Sequence, residues 1–201
     1  MAFTYFFRDK QTLDYVQKYA IPEFRKKRHI NVWDAGCAMG QEPYSLAIIF
    51  RENMGHFLFR NLKIYATDID SSNRFEEIIN TGIYSEDQIK RIPPEIKEKY
   101  FSRNGKENYF KISEEIKESV YYQKHDLLSL KIFKDDFSLI VCKNVLLHFS
   151  EAERVEVIRM FNKCLAPGGF FVTEQTQKMP PKLNGLFQQV TSNVQLYRKA
   201  E

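Results

Sequence analysis

The sequence has few cysteines and no long apolar run. The three cysteines, Cys37, Cys142 and Cys164, show no paired spacing, which argues against a disulfide framework and against a zinc site. No stretch reaches the roughly eighteen apolar residues of a membrane span. The opening MAFTYFFRDK lacks the charged lead and long apolar core of a signal peptide. These absences predict a protein without a bound metal or a membrane insertion, in a reducing, cytoplasmic setting.

The composition is that of an ordinary globular protein. Of the 201 residues, 43% are hydrophobic and 28% are charged, and the formal net charge is +4. This charge suits an acidic partner without requiring a nucleic acid. The chain has no N/D-P-P-Y/F motif and no basic stripe of the kind that binds nucleic acids. The length predicts one domain over residues 1–201, with a small inserted subdomain around residues 83–125.

The sharpest charged feature is the cluster RKKRH, which runs from Arg25 to His29. Two interpretations stay open. The cluster is either a solvated helix end, where cations complement the helix dipole, or part of a site for an anionic substrate.

Segments of strand length alternate with segments of helical period along the chain. The run FSLIVCKN is apolar almost throughout, which is typical of a strand buried on both faces. Strands are predicted over residues 31–36, 62–70, 119–126, 137–144, 170–176 and 194–199. Helices are predicted over residues 4–24 with a break or kink at Pro22, over 42–54, from a cap at Ser71 or Ser72 to Gly82, and from a Ser150 cap to a stop at Pro167. Between residues 83 and 125 we expect the helix PPEIKEKYF and a hairpin that turns at Asn104-Gly105.

This alternation favours an α/β fold with a doubly wound, mostly parallel sheet and helices on both of its faces. Such sheets bind ligands outside the carboxyl ends of their strands, so the residues at those ends are candidate binding residues. They are Gly36, Gly40 and Glu42 after the first strand, Asp68 and Asp70 after the second, Asp126 and Leu127 after the third, and Asn144 and Val145 after the fourth.

The loop after the first predicted strand reads G-C-A-M-G and is followed by Glu42. A dinucleotide site would have G-x-G-x-x-G, and a carboxylate at this helix start would repel a pyrophosphate. It would attract an ammonium group instead. Asp68 or Asp70 is placed to accept both hydroxyls of a ribose. A nucleoside that carries an amino acid fits these residues, and S-adenosylmethionine is such a molecule.

Seven segments, in this order and spacing, resemble the CheR family, the chemotaxis receptor glutamate methyltransferases. TYFFRD resembles the T-x-F-F-R opening of that family, and VWDAGCAMGQEPYSLA resembles its highly specific W-S-A-G-C-S-x-G-E-E-P-Y-S-x-A box. The remaining segments are IYATDID with the later TGIYS, HDLL, CKNVLLHF, LAPGGFFV and QLYRK. The resemblance covers almost the whole chain.

The resemblance implies a Rossmann-like class I methyltransferase that moves the methyl group of S-adenosylmethionine to a glutamate carboxylate, with a chemoreceptor cytoplasmic domain as the expected partner. Thr4 and Arg8 match positions at the methionine end of the cofactor, and Glu42 matches a carboxylate at the cofactor. Asp68 is the first choice for the ribose and Asp70 the second. The resemblance further implies that Asp126 and Leu127 flank the adenine and that Asn144 and Val145 close the pocket floor.

The departures from the family pattern concentrate on the acceptor side. Lys143 replaces an arginine, His148 replaces a tyrosine, and TEQT at residues 173–176 replaces G-H-S-E. The chain begins at the T-x-F-F-R box, without the N-terminal helical domain usual in the family. Two interpretations follow: that domain has been removed, or the chain is a minimal relative with another acceptor.

Methylation of a carboxylate needs no strong general base, because the acceptor is already ionised at neutral pH. The protein has to aim the carboxylate and exclude water. Arginine holds a carboxylate through two parallel hydrogen bonds, so Arg25 and Arg28 are the predicted acceptor-holding residues. Tyr197 matches a family tyrosine and is either part of the acceptor pocket or a core aromatic residue.

Three functions remain open at the level of the sequence. The first is a methyltransferase that forms glutamyl methyl esters on a chemoreceptor-type protein. The second is a CheR-like methyltransferase with a different protein or small-molecule acceptor. The third is a regulatory module that binds S-adenosylmethionine without turnover.

Overall fold

A computed structural model describes residues 4–105 and 107–200 of the chain. The helices are α1 (Lys10–Phe24), α2 (Gln41–Met54), α3 (His56–Phe59), α4 (Phe75–Thr81), α5 (Glu86–Ile89), α6 (Pro94–Tyr100), α7 (Glu114–Lys117) and α8 (Glu151–Cys164). The strands are β1 (Ile30–Ala35), β2 (Leu62–Asp68), β3 (Ile83–Ser85), β4 (Phe101–Arg103), β5 (Tyr109–Ile112), β6 (Val120–Lys124), β7 (Phe137–Cys142), β8 (Leu165–Thr173), β9 (Phe187–Gln189) and β10 (Leu196–Lys199).

The main sheet has seven strands in the order β6-β2-β1-β7-β8-β10-β9. Strands β6, β2, β1, β7 and β8 are parallel, whereas β10 is antiparallel to β8 and to β9. The predicted α/β architecture with a mostly parallel sheet is therefore confirmed. The strand order reverses between β1 and β7, and this switch point is where sheets of this class leave a crevice for ligands.

The sheet is buried on both of its faces, and β7 shows this most clearly. Leu139 and Val141 belong to one hydrophobic cluster, while Ile140 and Cys142 belong to a second cluster on the opposite face. Successive side chains of a strand point to opposite faces, so an apolar run without alternation is what a strand between two helical layers requires.

The first helix differs from its prediction at its start and at Pro22. It begins at Lys10 rather than at Thr4, and it continues without a break past Pro22 to the predicted end at Phe24. Pro22 lies in the last turn, where it removes one hydrogen bond, to the carbonyl of residue 18, and only two helical residues follow it. Residues 4–9 form an irregular segment, in which Phe7 and Asp9 have positive φ angles of 58° and 56°. This irregular conformation brings residues 4–9 next to the carboxyl end of the sheet.

The start of α4 was also wrongly predicted. Ser71 and Ser72 lie outside the helix, and the carboxylate of Asp70 accepts hydrogen bonds from the backbone N–H groups of Arg74, at 3.3 Å, and Phe75, at 2.9 Å. Asp70 thus satisfies free donors of the first turn. The predicted end at Gly82 is confirmed, since this residue closes the helix with a φ of 65°.

The segment between α4 and β6 contains a second, three-stranded sheet in the order β3-β5-β4. Strands β4 and β5 are antiparallel, which confirms the predicted hairpin, although Lys106 in its turn lies outside the described residues.

The division of the chain into one domain with an inserted subdomain stays a prediction. Within the described ranges, no helix is long and apolar enough to cross a membrane.

Candidate active site

A cavity of about 620 Å³ opens at the carboxyl ends of β1, β2, β6 and β7. This volume is typical of a site for a small molecule or cofactor. All of the predicted cofactor residues except Gly40 and Asp70 line it, namely Thr4, Arg8, Gly36, Glu42, Asp68, Asp126, Leu127, Asn144 and Val145. The carboxyl edge of a parallel sheet therefore brings together residues that are far apart in the sequence.

The loop after β1 approaches the loop after β7 too closely for any side chain at Gly36. A β-carbon at this position would lie 2.1 Å from Cγ2 of Val145, and the φ angle of Gly36 is 101°. The loop is held from the other side by Thr67, whose carbonyl accepts hydrogen bonds from the N–H groups of Gly36, at 2.7 Å, and Cys37, at 3.0 Å. Both the close contact with Val145 and the positive φ angle therefore require a glycine at position 36.

The carboxylate of Asp68 ties two loops together at the edge of the cavity. One oxygen accepts a hydrogen bond from the N–H of Ala38 at 2.9 Å, and the other accepts from the N–H of Asp70 at 3.0 Å. Each carboxylate oxygen can accept a second bond. Asp68 therefore keeps acceptor capacity for hydroxyl groups of a ligand.

A buried cluster of charges lies beneath the cavity, at the start of α2. The ammonium group of Lys143 is 2.7 Å from a carboxylate oxygen of Glu42. Asp34, on β1, is fully buried, and neither of its carboxyl oxygens has a hydrogen-bond donor among the described residues. Burial and the negative charge of Glu42 raise the pKa of Asp34 well above its ordinary value, against the opposing effect of Lys143. These effects favour the neutral form of Asp34 beside the Lys143–Glu42 ion pair.

Arg8 reaches the cavity from the irregular N-terminal segment. Its guanidinium group donates a hydrogen bond of 2.8 Å to the side-chain oxygen of Asn144. Asn144 has a φ of 60°, and its own N–H donates to a carboxylate oxygen of Glu174 at 2.9 Å. The loop after β7 thus holds the one arginine that lines the cavity in the described part of the chain.

Comparison with known proteins decides the family. Residues 2–196 match the model of the CheR methyltransferase, SAM binding domain. The chain belongs to the CheR methyltransferase family. A chemotaxis protein methyltransferase of Borreliella burgdorferi is 34% identical over 177 residues, which cover 84% of this chain and 62% of that protein. One of Listeria innocua is 30% identical over 184 residues, covering 90% of this chain and 67% of its own. The chain thus spans about two thirds of the length of these CheR relatives.

Solved structures support the same fold. An O-methyltransferase family protein from Burkholderia thailandensis superimposes with a TM-score of 0.50 at 15% identity, over 87% of this chain and 40% of that chain. At this identity, the similarity concerns the fold alone. The CheR domain described here therefore has the Rossmann-like fold of class I methyltransferases, and its cofactor is S-adenosylmethionine.

The residues of the cavity fit the chemical groups of this cofactor. Asp68 offers carboxylate oxygens for ribose hydroxyls. Asp34 and Glu42 place two carboxyl groups at the helix start, where an amino-acid ammonium has a favourable environment. Asp126 and Leu127 form the wall after β6, in which one oxygen of Asp126 accepts the N–H of Leu128 at 2.9 Å. Individual contacts between these residues and the cofactor stay predictions.

The structure places the predicted acceptor-holding arginines away from the cavity, which corrects their assignment. Arg25 and Arg28 are exposed and lie between α1 and the start of β1. The cavity lies at the opposite end of that strand, about 17 Å away for a six-residue strand. Arg25 donates instead to the backbone oxygen of Asn53 at 3.4 Å. The basic cluster is therefore on the wrong edge of the sheet to meet the cofactor.

Tyr197 is also outside the cavity. It is buried on β10, where its ring stacks against Phe171. Its hydroxyl group donates to Gln195 and accepts the N–H of Met179 at 3.2 Å. Its hydrogen-bonding capacity is used within the core, so the core interpretation of this residue is the one that the geometry supports.

Gly40 and Asp70 do not line the cavity. The first allows the backbone turn before α2, and the carboxylate of the second binds the start of α4. Gly40 has a φ of 91° at the start of α2, and a β-carbon there would lie 2.7 Å from Ile79 and 2.8 Å from the hydroxyl of Tyr84. Asp70 caps α4 as described above. Both residues are close in sequence to residues that line the cavity, but Gly40 faces Ile79 and Tyr84, and Asp70 faces the start of α4.

Sequence reasoning did not assign Asp34, Lys143, His125 and His148 to the site. Asp34 and Lys143 are charged residues within or directly after strands that are otherwise apolar, and this contrast is the signal that could have identified them. His125 and His148 line the cavity. Burial lowers the pKa of His125 below its ordinary value, against the opposing charge of Asp126. No comparable local signal distinguishes His125, whereas His148 had been noted as the replacement of a tyrosine in the family pattern.

Proposed function

We propose that this chain transfers the methyl group of S-adenosylmethionine to the side-chain carboxylate of a glutamate in a chemoreceptor-type protein. The observation that carries the proposal is Arg8, an arginine that lines the cofactor cavity and is anchored to Asn144. A guanidinium group beside the cofactor suits a carboxylate acceptor, since it can bind one through two parallel hydrogen bonds. This assigns to Arg8 the acceptor-holding role first predicted for Arg25 and Arg28.

The chemistry makes modest demands on the protein. The bound cofactor supplies an electrophilic methyl group, and the glutamate carboxylate is ionised at neutral pH. The residues of the chain have to hold the acceptor and exclude water between the reacting groups. The exposed apolar side chains of Ile69, Leu128 and Leu147 line the same cavity and support this second task. No general base is needed.

The acceptor and the partner are part of the proposal, because the chain spans only part of its curated relatives. The three cysteines are free and buried within the described residues, which supports the reducing, cytoplasmic setting that the sequence predicts. His148 is exposed and lines the cavity between Leu147 and Phe149. Because it stands where the family pattern has a tyrosine, it supports a second candidate function. In this alternative, the acceptor is a carboxylate on a different protein or on a small molecule.

The proposal is tested by incubating the chain with methyl-labelled S-adenosylmethionine and the cytoplasmic domain of a chemoreceptor. We expect label on the protein that mild base releases as methanol, because esters are base-labile. Label on another protein or a small molecule, released in the same way, would favour the second candidate. Base-resistant label on a lysine or a nucleic acid would contradict a carboxylate acceptor. Binding of the cofactor without any transfer would favour a regulatory module.

A further inference from the structure

Lys143 has a position that is unusual for a lysine. It follows β7 directly, and its side chain has no exposed surface. Burial alone would lower the pKa of Lys143, yet Glu42 and, more weakly, the carboxylates of Asp9 and Asp34 raise it above its ordinary value. The residue is therefore a buried cation surrounded by carboxyl groups.

Three groups of the protein surround this ammonium group. It donates hydrogen bonds to a carboxylate oxygen of Glu42, 2.7 Å from Nζ, and to the backbone oxygen of Arg8, 3.3 Å away, and it forms an ion pair with a carboxylate oxygen of Asp9 at 3.4 Å. An ammonium group has three donors and no acceptor. Although Lys143 borders the cofactor cavity, two of these donors are used by α2 and by the N-terminal segment, and its charge is also paired with Asp9.

The N-terminal segment, residues 4–9, is also held at Phe6 and Phe7. The N–H of Phe7 donates to the hydroxyl oxygen of Ser45 at 2.8 Å, and the ring of Phe6 packs against Tyr84 at a centroid distance of 5.0 Å. Phe7 and Asp9, on either side of Arg8, have the left-handed backbone conformation, which is unfavourable for residues other than glycine. Such a conformation persists only where surrounding contacts hold it.

Arg8 is held by two consecutive residues of the loop after β7. Lys143 binds its backbone oxygen, and Asn144 binds its guanidinium group at 2.8 Å. Main chain and side chain of Arg8 are thereby fixed relative to the same loop. Loss of the first contact would release the main chain of Arg8 from this loop and loosen the backbone on either side of it.

We propose that Lys143 is a positioning residue, which holds the N-terminal segment over the cofactor cavity and so aims the guanidinium group of Arg8. The competing role for a cation at this place is a direct ion pair with the carboxylate of the cofactor. The geometry argues against that role because Lys143 already donates to Glu42 and to Arg8 and is paired with Asp9. The proposal concerns the cofactor site and is independent of which acceptor is methylated.

Hydrogen exchange of the free protein tests the first half of the proposal. In Lys143→Met, the amide of Phe7 should exchange about tenfold faster or more, since a charged hydrogen bond is worth about this factor. The amide of Val32, which lies between β2 and β7, should keep its rate. Lys143→Arg should restore the slow exchange of Phe7. Lys90→Met, at an exposed ion pair with Asp87, serves as the matched control. An unchanged Phe7 rate, or equal acceleration at Phe7 and Val32, would overturn the proposal.

Ligand binding tests the second half. Lys143→Met should weaken S-adenosylmethionine and its decarboxylated analogue by the same factor, because the defect lies in the protein segment and not in a contact with the cofactor carboxylate. Weaker binding of S-adenosylmethionine alone would establish the direct ion pair and overturn the proposal. If Lys143→Met does not fold, Asp9→Asn replaces it, since this half-exposed partner keeps the Lys143–Glu42 pair intact. Faster exchange at Phe7 and equal weakening of both ligands are again expected, and their absence would contradict the proposal.

Discussion

Gly36 and Val145 touch across the floor of the cofactor cavity so closely that a β-carbon on Gly36 would lie 2.1 Å from Cγ2 of Val145. The first residue begins the turn after β1, and the second lies in the loop after β7. These two strands flank the switch point of the sheet. The contact therefore sets how far apart the two loops of the cavity lie.

Gly36→Ala should destabilise the protein and weaken cofactor binding. Overpacking and the positive φ of 101° together lower the free energy of unfolding by about 2–5 kcal/mol. Urea denaturation and calorimetric titration with S-adenosylhomocysteine measure the two effects.

Two further variants separate the steric contact from backbone strain. Gly185→Ala is the matched control, because Gly185 has a similar φ of 91° with open space around it. It should lose only the smaller strain contribution and keep its affinity. Adding Val145→Ala to Gly36→Ala removes the clashing methyl group and should restore part of the stability. No recovery in the double variant would contradict the steric explanation.

Asp68→Asn should weaken S-adenosylmethionine and S-adenosylhomocysteine by about 1.5–3 kcal/mol, because an ionised acceptor is lost at the ribose position and in the loop contact to Ala38. Calorimetry measures this change.

Asp70→Asn is the matched substitution two residues away, at the start of α4. It should lower the melting temperature without a change in affinity, because the amide group replaces one of the two accepting oxygens with a donor. The reverse pattern would show that Asp70 is the ribose ligand.

Asp34→Asn should change how stability depends on pH. Because the pKa of Asp34 is raised in the folded protein, the folded state binds a proton that the unfolded chain releases above its ordinary carboxyl pKa of about 4. Stability therefore declines as the pH rises from about 4 towards the raised pKa, and the asparagine variant lacks this decline. The melting temperature of Asp34→Asn relative to the parent should thus be higher at pH 8 than at pH 5. An equal difference at both pH values would mean that Asp34 is not protonated.

Arg8→Ala should reduce methyl transfer to the acceptor by about tenfold or more, because a guanidinium–carboxylate contact is worth about 1.5–3 kcal/mol. Arg25→Ala and Arg28→Ala remove the same charge at exposed positions on the opposite edge of the sheet, and they should leave kcat/KM within about twofold. Base-released methanol measures the rates. A comparable loss in Arg25→Ala would restore the basic cluster as the acceptor site.

Tyr197→Phe should lower the free energy of unfolding by about 1–2 kcal/mol, because the hydroxyl group bonds Gln195 and the backbone of Met179 inside the core. Methyl transfer measured below the melting temperature should be unchanged. A large fall in kcat with unaltered stability would mean that the hydroxyl group reaches the reacting atoms.

Local patterns in the sequence were sufficient for the architecture. The apolar run of β7 identified a strand buried on both faces, and Ser150 identified the start of α8, where its hydroxyl oxygen accepts the N–H of Glu153. These features depend on neighbours a few residues away, so the sequence shows them directly. The path of residues 4–9 was missed because helical periodicity continues through them. Contacts with residues that are distant in the sequence, among them Ser45, Lys143 and Asn144, hold that segment out of a helix.

The composition of the cofactor site was also determined by the sequence, since polar residues at strand ends must converge at one edge of a parallel sheet. Tertiary structure alone decided which of them face the cavity. Asp68 and Asp70 differ by two positions, yet the first borders the cavity and the second caps α4. Arg25 and Arg28 looked suited to an acceptor, but the direction of β1 puts them at its far end. Side-chain direction and strand polarity are set by packing between distant segments, and no local pattern of residues contains that information.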